Sequence, residues 1–267
     1  MRQNETFKYY DKYVNEMNDV YNYLKSLFET DYITELCAVR GYVSNNQKEL
    51  IKEMQLGYCE PDVEILKNAS EELGLLSKKG YFLLTNRFII PVYDLAGNLC
   101  TLIGYYPDNR KYITLPTPFF SRECMFFNFK QAYDLSFKEY DGFVILVEGI
   151  FDCLSLRSIG LPAIATMGAT VSEYKCELLK LFSKVLAIPD DDKTGRRALN
   201  RYDKKYGWKV PSNTTMLKFH GGTIKLNDMD LHCKDMDNFV SWYEEEDVRD
   251  ILLSYRSSRE DIEELYL

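Results

Sequence analysis

From residue 143 to residue 219 the chain alternates short, continuously apolar runs with amphipathic stretches, and this pattern leaves few folds open. "FVILVEG" reads as a buried strand and "IFDCLSLRSIG" as a short helix closed by Gly160. "PAIATMG" is a second strand, and "TVSEYKCELLKLF" a helix with Val171, Tyr174, Leu178, Leu181 and Phe182 on one face. "SKVLAIP" is a third strand, "TGRRALNRYDKKYG" a helix with Leu199, Tyr202 and Tyr206 inward, and "NTTMLKF" a fourth strand. A strand with one wet face would alternate polar and apolar residues. Runs that are apolar throughout must be covered on both sides, which calls for helical crossovers and a parallel sheet. The expected fold class is α/β, a mainly parallel sheet with helices on both faces.

In such a sheet, ligands bind beyond the carboxyl ends of the strands, and there this chain places acids. Glu148 closes the first strand and Asp152 opens the helix after it. Asp190 and Asp192 follow the third strand, and "KDMDNF" puts Asp235 and Asp237 after the fourth. Residues two apart in an extended segment face the same way. Asp190 can therefore point with Asp192, and Asp235 with Asp237, while Asp191 points aside and is expected to be dispensable. An acid at a helix start is ordinary capping, worth roughly 0.5–2 kcal/mol, and that accounts for Asp152 or Asp192 taken singly. Acids gathered from three strand ends repel one another unless protons or cations neutralise them. An all-oxygen set favours a hard divalent ion, Mg²⁺ or Mn²⁺, over zinc.

Upstream the texture differs. The stretch to about residue 75 is polar and tyrosine-rich with helical spacing. Val20, Tyr23, Leu24, Leu27 and Phe28 mark one apolar face, and "VSNNQKELIKEM" and "EPDVEILKNASEELGLL" read as further helices, the former capped by Ser44 or Asn45. "NRFIIPVYDLAGNLCTLIGYY" then reads as a hairpin turning at "DLAGN". These changes of pattern predict a mixed helical and α/β subdomain over 1–140, an α/β domain over 141–240 and a C-terminal helical segment over 241–267.

Composition sets limits on function. The net charge of -8 argues against a uniformly basic nucleic-acid binder. Residues 78–131, however, hold seven basic residues against three acids, a local balance of +4. The apolar runs are strand-sized, far short of the roughly 20 residues a membrane helix needs, and "MRQNETFKYYDKY" has no apolar signal region. A cytoplasmic protein with no membrane partner is expected. Seven cysteines without a C-x-x-C pair, and only two histidines, make no zinc-ligand cluster. The cysteines read as reduced, mostly buried small hydrophobes.

"VEGIFD", "ATMGAT", "IPDDDKTGRRA" and "KDMDNFV" resemble, in order and spacing, the Toprim motifs of bacterial DnaG-type primases. "AVRGYVSNNQKELIKEMQLGYCEP", "NRFIIPVYDLAGNLCTLIGYY" and "KYITLPTPFFSRECMFFNF" look like the amino-terminal half of the same catalytic core. The resemblance covers roughly residues 30–245. It implies a Toprim domain, Rossmann-like, preceded by a mixed α+β subdomain that binds template and nucleotides. It assigns catalysis to Glu148, Asp190 and Asp192, and metal binding, by two or more ions, to Glu148, Asp190, Asp192, Asp235 and Asp237. Asp152 becomes a supporting acid. Arg87, Lys111, Arg122, Lys193, Arg196 and Arg197 fall where template or nucleotide phosphates would be met, and Tyr105, Tyr106, Tyr112, Phe119 and Phe120 would form a track for stacked bases.

The implied activity is synthesis of short RNA primers on single-stranded DNA from ribonucleoside triphosphates. The implied form is minimal, without the zinc-binding and helicase-interaction domains, which suits a phage or mobile element. A separate replicative helicase or zinc-binding protein is then a further partner. The chain departs from the family at Asp191, where Gly is usual, and at Gly104-Tyr105-Tyr106, where Gly-Gly-Arg is common. Two rival readings remain: a Toprim-type metal-dependent nuclease, and a non-catalytic primase-derived module that binds DNA or nucleotide.

Overall fold

A computed structural model of the chain describes residues 2–26, 35–37, 40, 45–53, 56–59, 75–76, 78–79, 82–107, 111–115, 120–190, 192–198, 207–208, 210–218, 223–226, 229–232, 235–256 and 265–266. Ser44, Leu27, Phe28, Asp191, Phe119, the helix expected to end near residue 74 and the inward face Leu199, Tyr202 and Tyr206 lie outside the described residues, as does the side chain of Arg196. The chain forms two compact units, Met1–Ser121 and Arg122–Leu267.

The amino-terminal unit pairs helices with a four-stranded antiparallel sheet. Helix α1 (Arg2–Ser26) buries Tyr13, Met17, Val20, Tyr21 and Leu24, whose spacing makes one stripe. The stripe packs into a core with Leu75, Leu84, Ile89, Leu99, Leu102 and Leu115. Helix α2 (Asn45–Glu53) follows, and the sheet runs β1 (Gly57–Cys59), β2 (Arg87–Tyr93), β3 (Leu99–Tyr106), β4 (Lys111–Thr114) in spatial order. The predicted hairpin is present. Its turn is held by Asp94, whose Oδ1 accepts from the amides of Ala96 (2.9 Å) and Asn98 (2.8 Å), an Asx-type closure that explains why "DLAGN" reverses the chain.

The second unit is built on a five-stranded parallel sheet. Helix α3 (Phe129–Glu139) is followed by β5 (Phe143–Val147), α4 (Ile150–Ser158), β6 (Ala163–Ala165), α5 (Glu173–Leu179), β7 (Lys184–Ile188), α6 (Lys193–Ala198) and β8 (Thr214–Lys218). A separate antiparallel pair, β9 (Thr223–Leu226) and β10 (Met229–His232), precedes α7 (Met236–Trp242) and α8 (Glu245–Ser254); β11 (Leu265–Tyr266) completes the main sheet. The spatial order is β11-β8-β7-β5-β6, with every pairing parallel. The chain steps from β5 to β6 on one side and then crosses to β7 on the other. The strand order therefore reverses between β5 and β7, which is where ligands of open α/β sheets are bound.

Alternation along β5 explains its continuous apolar run. Val144 and Leu146 join Phe129, Phe182, Val185, Ala187 and Trp208 in the core on one face, so Phe143, Ile145 and Val147, also buried, serve the other. On this pattern, truncating a residue such as Leu146 to alanine costs about 2–5 kcal/mol.

Three expectations need correction. The boundary between the units lies at Ser121/Arg122, before residue 140, because α3 packs its Phe129 and Ala132 into the parallel sheet's core. The segment over 241–267 belongs to the same unit: Val248 and Leu252 are buried, and Arg249 donates to the Ile159 carbonyl and to Tyr140 Oη. Helix α5 keeps only part of its predicted face, with Val171, Leu178 and Phe182 buried as expected. Ser172 caps it by accepting from the Lys175 amide at 3.2 Å, and with that start Tyr174 and Leu181 are half exposed while Lys175 is buried. The acidic "EEED" run is the first turn of α8, where negative charge complements the helix dipole. Among the described residues, Cys37, Cys100, Cys124, Cys153 and Cys176 are free thiols, the first two and Cys153 buried. No helix among them is long and apolar enough to cross a membrane.

Candidate active site

Glu148 leaves β5 at the strand-order reversal. Its backbone carbonyl accepts from the Met167 amide at 3.1 Å and from Thr166 Oγ1 at 3.3 Å, so the turn after β6 braces it. Its side chain is not braced in the same way: Oε2 is buried and has no hydrogen-bond partner. Burial, then the nearby charges of Asp192 and Asp152, push its carboxyl up to about 7. A cation beside it would favour its charged form.

Asp152 lies in the first turn of α4 and is buried. Gly149 gives it room, since a Cβ there would stand 2.2 Å from Asp152 Oδ2. Burial, and then Asp190, Asp235 and Asp237, raise its carboxyl well above the ordinary range. Those influences report the convergence the sequence predicts: acids from the ends of β5 and β7 and from the start of α7 share one edge, with Asp152 among them.

Each acid is also held by its own loop. Asp192 Oδ1 accepts from the amides of Thr194 (2.7 Å) and Gly195 (2.8 Å), so the capping reading holds for it, and Oδ2 takes no part in that cap. Gly195 is required by close approach: a Cβ would lie 1.9 Å from the Asp190 carbonyl oxygen. Asp235 is extended (φ −151°, ψ 171°) and caps α7 by accepting from the Asn238 amide at 2.9 Å. Asp237 already lies in that helix, so the extended i, i+2 geometry does not apply to this pair. Asp237 Oδ1 accepts from Ser155 Oγ, and its amide donates to Asp152 Oδ1 at 2.9 Å.

This donor set fits a hard divalent cation. It is oxygen only, it is over-supplied with negative charge, and it includes a buried, unpartnered carboxylate oxygen. Among the described residues, no three acid, histidine or cysteine side chains are grouped as the ligands of one metal ion would be.

The basic candidates divide between the two units. Arg87 opens β2, where its Nε donates to the Leu83 carbonyl at 3.3 Å, its guanidinium lies 5.3 Å over the Tyr106 ring, and Nη1 is buried without a partner. Burial lowers its pKa. Lys111, at the start of β4, is exposed. Arg122, Lys193 and Arg197 belong to the second unit and are exposed. The aromatic track needs revision. Adjacent strand residues point to opposite faces; Tyr105 is fully buried, packed 5.1 Å from the Tyr112 ring, while Tyr106 and Phe120 are half-buried and Tyr112 is exposed.

Sequence reasoning missed two residues that support the site. Lys175 is 1% exposed; its Nζ donates to the Thr166 carbonyl at 2.6 Å and lies 5.1 Å over the Phe126 ring. Ser155 is as deeply buried and reaches Asp237. A serine inside the otherwise apolar "CLSL" was the available signal for Ser155. Lys175 carried none, because a lysine in a surface helix is ordinary.

A family model described as Toprim-like matches residues 145–240. The DNA primase of Thermotoga maritima is 30% identical over 212 residues, covering 73% of this chain and 34% of that protein. The DNA primase of Aquifex aeolicus is 31% identical over 198 residues, covering 66% and 38%. The chain thus spans about a third of the length of these curated relatives. The crystal structure of the Aquifex aeolicus primase, comprising zinc-binding and RNA polymerase domains, superposes with a TM-score of 0.70 at 25% identity, over 91% of this chain and 60% of that one. A DnaG primase catalytic domain bound to single-stranded DNA gives a TM-score of 0.67 at 18% identity, over 91% and 78%. In sequence and in fold, then, the chain is similar to the catalytic core of DnaG-type primases and contains a Toprim-like segment.

Proposed function

We propose that this chain synthesises short RNA primers on single-stranded DNA by nucleotidyl transfer that depends on Mg²⁺ or Mn²⁺. The observation that carries the proposal is the buried, unpartnered Oε2 of Glu148 at the strand-order reversal, beside Asp192 after β7 and Asp152 on α4. Such a site binds cations before it does anything else. The DNA primases of Thermotoga maritima and Aquifex aeolicus support the choice of reaction, and the single-stranded DNA on a structurally similar catalytic domain supports the choice of template.

In this reading Glu148, Asp190 and Asp192 are catalytic, and together with Asp235 they hold two or more ions. Bound divalent ions supply charge neutralisation on the triphosphate and a more acidic 3′-hydroxyl. The protein's own groups do the positioning. The turn after β6 holds Glu148 by its backbone, and the α6 amides hold Asp192. Lys193, Arg196 and Arg197 meet triphosphate oxygens, while Arg87, Lys111 and Arg122 meet nucleic-acid or nucleotide phosphates. The 3′-hydroxyl gives its proton to water as its oxygen bonds to the α-phosphorus of the next nucleotide, the bond to the bridging oxygen breaks, and pyrophosphate leaves.

Incubation of the protein with labelled ribonucleoside triphosphates, single-stranded circular DNA and Mg²⁺ or Mn²⁺ should yield short RNA that vanishes in an Asp190→Ala, Asp192→Ala double variant. Retained synthesis in that variant would sink the mechanism. Cleavage of the DNA without nucleotides would point instead to a nuclease.

A further inference from the structure

The two acidic loops at the sheet edge are tied together by a contact that cation binding does not require. Ser155 Oγ donates to Asp237 Oδ1, and the Asp237 amide donates to Asp152 Oδ1 at 2.9 Å. All three residues are buried, with exposures of 1% for Ser155, 3% for Asp237 and 7% for Asp152. Ser155 and Asp152 lie three apart on α4, so they share a face, and that face meets the first turn of α7. Asp235 differs. It precedes α7 in extended conformation, half-buried, at the helix start.

We propose that Asp237 is a positioning residue rather than a cation ligand, and that Ser155 is the residue that makes it one. A carboxylate almost wholly enclosed, with one oxygen committed to a buried hydroxyl, is poorly placed to receive a hydrated ion. It is well placed to lock the start of α7 against α4. Through its amide, Asp237 also fixes one oxygen of Asp152, whose other oxygen lies against Gly149, next to Glu148. The Ser155–Asp237–Asp152 link thus sets the spacing between Asp235 on one loop and Glu148 on the other. This inference rests on the metal-binding reading of the site.

The test is Mn²⁺ titration of the full chain followed by electron paramagnetic resonance, with a melting curve for every variant. Asp237→Asn keeps an acceptor for Ser155 and the amide for Asp152, and its Mn²⁺ affinity should stay within about 3-fold of wild type. Asp235→Asn should lose on the order of 10-fold or more, as should Ser155→Ala, in the range expected when outer partners of a metal site are removed. Asp237→Asn falling as far as Asp235→Asn would make Asp237 a ligand and overturn the proposal. A folded Ser155→Ala protein that binds Mn²⁺ like wild type would overturn it as well. Should Ser155→Ala fail to fold, the two asparagine variants decide. Absence of Mn²⁺ binding in the wild type would remove both this inference and the proposed function, whereas wild-type binding with no difference between Asp237→Asn and Asp235→Asn removes this inference alone.

Discussion

Two ionisable residues of the second unit, the half-buried Glu148 and the buried Lys175, are tied to the same turn and end in opposite states. Thr166 connects them: its hydroxyl donates to the Glu148 carbonyl, and its own carbonyl accepts from Lys175 Nζ. Lys175 is satisfied, with a carbonyl as acceptor and the Phe126 ring beneath the ammonium. Glu148 has a buried oxygen with no partner and two acidic neighbours. A buried charge that the fold satisfies is part of the scaffold. One that the fold leaves unsatisfied, and surrounds with like charge, is what the proposed cation site would use.

That contrast can be broken by a double dissociation. Glu148→Gln should cost primer synthesis roughly 100-fold or more if the side chain holds a catalytic ion, while raising the melting temperature of the metal-free protein, because a desolvated charge is removed. Lys175→Met should do the reverse. It leaves the Thr166 carbonyl without its donor, a loss of about 1–3 kcal/mol by denaturant unfolding, with synthesis per folded molecule within ~3-fold of wild type. A variant pair that moved activity and stability in parallel would erase the distinction.

The pH dependence of stability sharpens the same comparison. Glu148 is raised from 4.5 to about 7 in the folded chain. Between those values the native state holds the proton more tightly than the unfolded state, so metal-free stability should fall as pH rises through the window and level off above it. Lys175 is lowered from 10.5 to about 8. Between about 8 and 10.5 the unfolded chain binds more protons, so its contribution should rise with pH there. Melting temperatures measured from pH 5 to 10, with Glu148→Gln and Lys175→Met as controls, should show each slope vanish in its own variant. Mn²⁺ should cancel the first slope and leave the second.

Smaller effects are expected away from the pair. Tyr106→Ala removes the ring under Arg87, a loss of about 0.5–1 kcal/mol, and should weaken single-stranded DNA binding a few-fold in a fluorescence titration at fixed salt. Asp191→Ala should change Mn²⁺ affinity and synthesis by less than ~2-fold in the same assays, the outcome expected from the sequence pattern, in which Asp190 and Asp192 share a face that Asp191 does not.

Much of the second unit was legible because a parallel sheet writes itself locally. Strands buried on both faces must be apolar throughout, as Phe143–Val147 is, and the acids that follow them mark the ligand edge. The hairpin in the amino-terminal unit was legible for the same kind of reason, since Asp94 closes its turn with atoms only a few residues away. Errors came where one local rule competed with another. On α5 the apolar pattern held for Val171, Leu178 and Phe182 but not for Tyr174, which is exposed while Lys175 is buried. At Asp235 and Asp237 the alternation rule failed because a helix begins between them.

What the sequence by itself determined is the α/β class, the strand ends and the identity of the acids, since periodicity and the chemistry of each side chain are local properties. The strand order, and with it the reversal between β5 and β7 that puts Glu148 beside the acids of the third strand end, was decided only by tertiary structure. So was the division of labour among those acids. The cap that Asp192 forms is local, but whether a carboxylate is left unpartnered like Glu148 or locked to a serine like Asp237 depends on groups far apart in sequence, 82 residues for Ser155 and Asp237, that packing brings together.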